Sequence, residues 1–144
     1  MELAPRGEEH MRKIFSFTLF FATIIAIAGC AADKATIFYT NGIAKYRQGN
    51  YNEAILDFTE AIILKPFWAE AFYYRGNAKA NNGDYVDAIK DFSESIRLKA
   101  DYIEAYNRRG SARMKIGDSL GANEDFNMAR ELEKENIRIH FRSQ

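Results

Sequence analysis

Few side chains in this chain could do chemistry. Its 144 residues include a single cysteine, Cys30, and two histidines, His10 and His140. A lone thiol makes no internal disulfide. What remains to it is nucleophile chemistry, and Cys30 closes the densest apolar run of the chain. Carboxylates recur at Asp57, Asp91 and Asp125, 34 residues apart, and with Asp33 they raise the question of a metal. At that distance they sit on successive helices, and a solvated helix face is the preferred reading. No nucleophile elbow, phosphate-binding loop or zinc-ligand spacing occurs. No catalytic residue, metal or cofactor is expected, and no enzyme.

The positioning elements follow from composition and pattern. Lys and Arg number 20, as do Asp and Glu, so the chain is formally neutral. A nucleic-acid-binding protein normally shows a basic surplus, so that class is set aside. Hydrophobic residues make up 47%, enough to build a core. With only 2 Pro and 9 Gly, helices suit the chain better than a turn-rich sheet protein.

Residues Ile14 to Gly29 read IFSFTLFFATIIAIAG, an uncharged stretch just after Arg12 and Lys13. A basic segment, an apolar segment and then small residues make the pattern of a secretory signal. The run is short for a membrane span, which needs about 20 apolar residues. Ile27-Ala28-Gly29-Cys30 resembles the bacterial lipobox. The resemblance implies a diacylglyceryl group on the Cys30 sulfur and cleavage just before it. Residues 1–29 are then a signal peptide, with Met11 the expected translation start. Residues 30–34 are the lipidated cysteine and a short linker. The alternative is an uncleaved single-pass anchor running on through Ala32. Both readings hold the remaining chain at a membrane. Charge neutrality survives cleavage, which removes Arg6, Arg12 and Lys13 together with Glu2, Glu8 and Glu9.

From Ala35 onward the chain repeats every 34 residues without a gap: 35–68, 69–102 and 103–136, then a tail over 137–144. Phe38, Phe72 and Tyr106 open the units. Gly42, Gly76 and Gly110 follow one helical turn later, where a glycine costs helix propensity. Three repetitions of that cost point to close helix approach. Gly49, Gly83 and Gly117 suit helix ends. Asn50, Asp84 and Asp118 suit N-caps of a second helix. Ala54/Phe58/Ala61, Ala88/Phe92/Ser95 and Ala122/Phe126/Ala129 line one face of that helix. Each unit therefore reads as helix, tight turn, helix.

On these columns the chain resembles the tetratricopeptide repeat family over residues 35 to about 135. It departs where the family's Leu before the first Gly is Asn41, Arg75 or Arg109. The closing proline is kept only at Pro66, and Ser119 stands where Tyr51 and Tyr85 are aromatic. The resemblance implies an all-α fold, an α-solenoid of three helix-turn-helix units in a right-handed superhelix. It also implies a groove lined by each unit's first helix, here Tyr39, Ile43, Tyr46, Tyr73, Tyr74, Asn77, Asn107, Arg108 and Ser111. One branch of the family clamps a C-terminal carboxylate. Its positions here are Tyr39, Ile43, Tyr74, Glu104 and Arg108, of which only Arg108 fits, so no such clamp is expected. Trp68 and Tyr102 are read as joint-packing residues.

The expected function is a membrane-anchored adaptor of the bacterial cell envelope. It would hold a protein or peptide partner, itself membrane-associated, in the groove on the exported side. Ala31 after the cysteine favours the outer membrane where there are two. The alternative is a structural protein that self-associates through its poorly capped third repeat.

Overall fold

The computed structural model describes residues 34–142. The expected signal peptide and the expected lipidation site, Cys30, lie outside these residues. Six helices and no strand occur among the described residues. They are α1 over 34–47, α2 Tyr51–Leu64, α3 Ala69–Asn81, α4 Tyr85–Leu98, α5 Ile103–Lys115 and α6 Ser119–Arg142. Helices α2 to α6 pack on their neighbours in sequence, and α3 also touches α5; α1 meets α2 where Gly42 lies against Phe58. The result is an all-α helical repeat.

Local chemistry sets the pairing. Within each unit the chain reverses in three residues, 48–50, 82–84 and 116–118, which forces the two helices antiparallel. Gly49, Gly83 and Gly117 carry φ of 81°, 93° and 85° there. The left-handed position lets the next amide reach back to a carbonyl five residues earlier, as Asn50 N does to Lys45 O at 3.0 Å. Lost helix carbonyl partners are thus recovered.

The N-caps differ from the sequence expectation. Neither Asn50 nor Asp84 caps with its side chain. The Asp84 carboxylate instead accepts a bond from Asn82 Nδ2 at 3.1 Å. Asp118 alone caps, accepting the Gly121 amide at 2.9 Å on Oδ1.

Packing follows the repeat columns. Phe58 and Phe92 are fully buried, and each lies against the glycine of its own first helix, Gly42 or Gly76. Burying such a side chain stabilises by about 2 kcal/mol. Phe126 meets Gly110 in the same way but is only half-buried. No fourth unit follows among the described residues to cover it. At the joints Tyr39 stacks on Trp68 with centroids 4.4 Å apart. Tyr73 meets Tyr102 at 4.9 Å one unit later. The α6 helix runs unbroken past Asn136, and Ile137, Ile139 and Phe141 stay exposed on it.

The aspartate column corrects the sequence reading. Asp57, Asp91 and Asp125 are not on a solvated face; they are 9%, 4% and 2% exposed. Arg75 grips Asp91 with two bonds, Nε to Oδ2 at 2.9 Å and Nη2 to Oδ1 at 2.7 Å. Lys79 Nζ adds a contact at 2.8 Å. Arg109 holds Asp125 in the same fork, at 3.0 and 2.6 Å, and Arg113 joins at 3.0 Å. The first unit has Asn41 where these arginines stand, and Asp57 has Lys45 alone, 2.8 Å from Oδ2. That oxygen is buried, and the Lys45 ammonium is its close counter-charge, in place of the arginine fork of the other two units. The carboxylate column is a structural ion-pair system. Among the described residues, no group of His, Cys, Asp or Glu is arranged to hold a metal.

The same arginines tie units together. Arg75 Nη1 donates to Thr59 Oγ1 on α2 at 3.2 Å. Arg109 Nη1 donates to Ser93 Oγ on α4 at 3.0 Å. Both hydroxyls in turn donate to their own helix, Thr59 to Ile55 O and Ser93 to Ile89 O. Each arginine therefore joins three helices.

Candidate functional site

The layer of first helices, α1, α3 and α5, carries the candidate groove. Its aromatic end is built by α1 and α3. Tyr39 and Tyr74 meet edge to face at 5.9 Å, and Tyr73 and Tyr74 at 5.2 Å. Tyr46 meets Tyr74 at 6.3 Å, and its hydroxyl accepts a bond from Asn81 Nδ2 at 2.9 Å. Tyr39, Tyr46 and Tyr74 rest on the buried Ala54, Phe58 and Ala78, with Ile43 beside them, while Tyr73 packs on Ala88, Phe92 and Ala112 of the next unit. One helical turn separates Tyr39 from Ile43 and nearly two separate it from Tyr46, which places all three on one face.

A hollow of about 410 Å³ opens beside them, lined by Tyr39, Thr40, Ile43, Ala44, Arg47 and Tyr74. It is open to solvent, polar at Thr40 and Arg47 and apolar at Ile43 and Ala44. Tyr39 is half-buried, and burial, with Tyr74 and Glu70 nearby, pushes its phenol up to about 12. The hydroxyl is therefore neutral across the physiological range and can both donate and accept.

The other sequence-derived groove residues are placed unevenly. Asn77 is 4% exposed and sits inside the layer. Asn107 is half-buried, while Arg108 and Ser111 are exposed on α5. Ser111 Oγ donates to Asn107 O at 2.9 Å, which turns its hydroxyl back to the helix. The structure thus brings Tyr39, Ile43, Tyr46, Tyr73 and Tyr74 into one cluster, and leaves Asn107, Arg108 and Ser111 as a separate polar end. Tyr39 and Tyr73 have a second task, since each also packs a joint ring.

Charge in this layer is thinner than the sequence suggests. Lys45, Arg75, Lys79, Arg109 and Arg113 are all engaged with the aspartate column. Arg47, Arg108 and Lys115 remain exposed, with Glu104 at the start of α5. Glu70 faces Lys99 at 3.8 Å. Sequence reasoning passed over Arg47, whose position one turn after Ile43 could have placed it at the hollow.

Residues 39–103 match the family model described as tetratricopeptide repeat. The fold is that of the tetratricopeptide repeat. The first such domain of Spaghetti (RPAP3), solved bound to the HSP90 peptide SRMEEVD, is 28% identical with a TM-score of 0.70. The match covers 72% of this chain and 82% of that one. MamA is 27% identical with a TM-score of 0.72, over 75% of this chain and 63% of MamA. The Arabidopsis OM64 domain is 27% identical with a TM-score of 0.70, over 72% and 86%. No curated protein matches the sequence. The tetratricopeptide-repeat fold is a protein-interaction scaffold.

Proposed function

We propose that this tetratricopeptide-repeat chain is an adaptor anchored to a bacterial envelope membrane through Cys30. In this reading it holds a protein or peptide partner against the first-helix layer on the exported side. The observation that carries it is the hollow between α1 and α3. Rigid tyrosines with polar tips surround an apolar floor at Ile43, and exposed Arg47 stands at the rim. Such amphipathic aromatic surfaces concentrate binding energy in few residues. The HSP90 peptide bound by the Spaghetti domain supports peptide capture by this architecture. Tyr39, Ile43, Tyr74 and Glu104 offer no lysine or asparagine to a terminal carboxylate, so the partner is read by a different chemistry. Anchoring rests on the order of basic pair, apolar run, small residues and cysteine in the sequence. Two or three acyl chains exceed the marginal affinity of one.

The test is site-directed photo-crosslinking in the native membrane. A crosslinker at Ile43 or Arg47 should trap a discrete partner, and one at Lys90 on α4 should not. Equal capture from both positions overturns the groove. For the anchor, Cys30→Ala should abolish lipid labelling and leave uncut precursor.

A second reading has its own support. Phe126 is half-buried, and Ile137, Ile139 and Phe141 are exposed on α6. That end favours self-association through the third repeat. Sedimentation of the detergent-solubilised chain separates the two readings, since a concentration-independent monomer excludes self-association.

A further inference from the structure

The outer face of the first repeat differs from the same face of the other two. Leu56, Ile63 and Phe67 are 67%, 65% and 80% exposed. Their column partners in the second repeat are Lys90, Arg97 and Asp101, and in the third Glu124, Glu131 and Glu135, all exposed. Three surface positions that are charged twice are therefore apolar once. The fold needs no apolar residue there, since two repeats build the same helix without one. Leu56 and Ile63 stand seven residues apart on α2, on one stripe. Phe67 follows in the turn to α3 and lines an apolar hollow of about 320 Å³ with Leu64, Lys65, Pro66 and Trp68.

The location of this face bears on what covers it. The α1–α2 hairpin turns at residues 48–50, so the start of α1 and the end of α2 share the opposite end. The stacking of Tyr39 on Trp68 at 4.4 Å fixes the α2–α3 turn beside the early part of α1. Cys30 lies four residues before Lys34, where the described part of α1 begins. Four residues reach at most about 14 Å. The sixteen-residue apolar run ends at Gly29, directly before Cys30.

We propose that the Leu56–Ile63–Phe67 face of the first repeat rests on the lipid surface at which the chain is anchored. The proposal rests on the membrane-anchor reading above. Phe67 and Ile63 enter the headgroup boundary, an environment suited to an aromatic ring with a cation such as Lys65 beside it. Glu60, exposed one turn after Leu56 and one turn before Ile63, lies on the same stripe between them, so its carboxylate stays at the headgroup level and keeps the contact shallow. The contact fixes the orientation of the solenoid, with the first repeat at the membrane and the third directed away. A short tether alone would leave that orientation free.

Trp68 is the only tryptophan in the sequence and sits beside Phe67, so it reports on the contact. The full, processed chain is reconstituted in phosphatidylcholine–phosphatidylglycerol vesicles, with or without lipids brominated near the headgroup. Wild-type chain should float with the vesicles, and bromolipid should quench Trp68 emission. The variant Leu56→Lys/Ile63→Arg/Phe67→Asp installs the residues of the second repeat. It should keep its helical circular dichroism, float equally and lose the quenching. Flotation without quenching in the wild type overturns the lipid contact alone, as does equal quenching of the variant. Failure to float overturns the anchor reading, and the contact with it.

Discussion

Gly76 and Phe92 are in direct contact: a Cβ built on Gly76 would lie 2.8 Å from Phe92 Cε1 and 3.0 Å from Cδ1. Phe92 is fully buried, so its ring has nowhere to retreat. Gly76→Ala should therefore destabilise the chain despite a gain of about 1 kcal/mol in helix propensity. Overpacking costs roughly 1–3 kcal/mol. Urea unfolding of Gly76→Ala, Phe92→Leu and the double variant should show coupling, with the second change relieving the first. Additive losses would contradict the contact. Gly110→Ala should cost less, because half-buried Phe126 can yield.

The ion pairs predict a graded series. Asp91 is held by Arg75 and Lys79, and Asp125 by Arg109 and Arg113, while Asp57 has only Lys45. Removing one partner from a buried ion pair leaves charge uncompensated, at a cost of about 3 kcal/mol or more. Asp91→Ala and Asp125→Ala should approach that loss. Asp57→Ala should cost clearly less, since Lys45 is free to turn outward into water. Chemical denaturation of the three variants checks the order. Equal losses would mean that the forked arginine bonds add nothing to the single ammonium.

These two cases show where sequence patterns inform and where they mislead. The glycine column is legible because a helix-breaking residue repeated three times at one register needs a steric cause, and the Phe rings supply it. The aspartate column misled because periodicity alone does not distinguish an exposed carboxylate from a buried one. The missing signal was the second column. Arg75 and Arg109 replace the family's leucine one turn above Lys79 and Arg113, and that pair of cations faces the aspartate of the next helix. In the groove, Tyr39 and Tyr73 read as binding residues from their column, yet their ring partners, Trp68 and Tyr102, lie 29 residues away. Joint packing and partner binding draw on the same residue type, so composition could not divide them. For that reason a Tyr39→Ala change tests the fold as much as the groove, and Ile43 and Arg47 are the cleaner probes.

The caps supply a differential test. Asp118 accepts the Gly121 amide, whereas the Asp84 carboxylate bonds Asn82 and caps no amide of its helix. Loss of a working N-cap costs about 1 kcal/mol. Asp118→Ala should lower the thermal midpoint measurably, and Asp84→Ala should lower it little, though both stand before a second helix at the same column. Circular-dichroism melts of the two variants decide this. A larger loss at Asp84 would contradict the cap geometry.

Tyr39 should titrate late. Burial first, then Tyr74 and Glu70, raises its phenol from 10.0 to about 12. The folded state thus favours the neutral ring over the phenolate relative to the unfolded chain. Its contribution to stability is complete below pH about 10 and is lost as pH rises through about 12. Absorbance titration near the phenolate band, compared with Tyr39→Phe, should show a missing component at about 12. The phenylalanine variant should also lose less stability across that interval. Titration of Tyr39 near the ordinary value of about 10 would mean that the ring is open to water. The stack on Trp68 would then not hold the α1 end of the groove. With the stack in place, partner capture at the hollow should be independent of Tyr39 ionisation at neutral pH, and any pH dependence there must come from the partner.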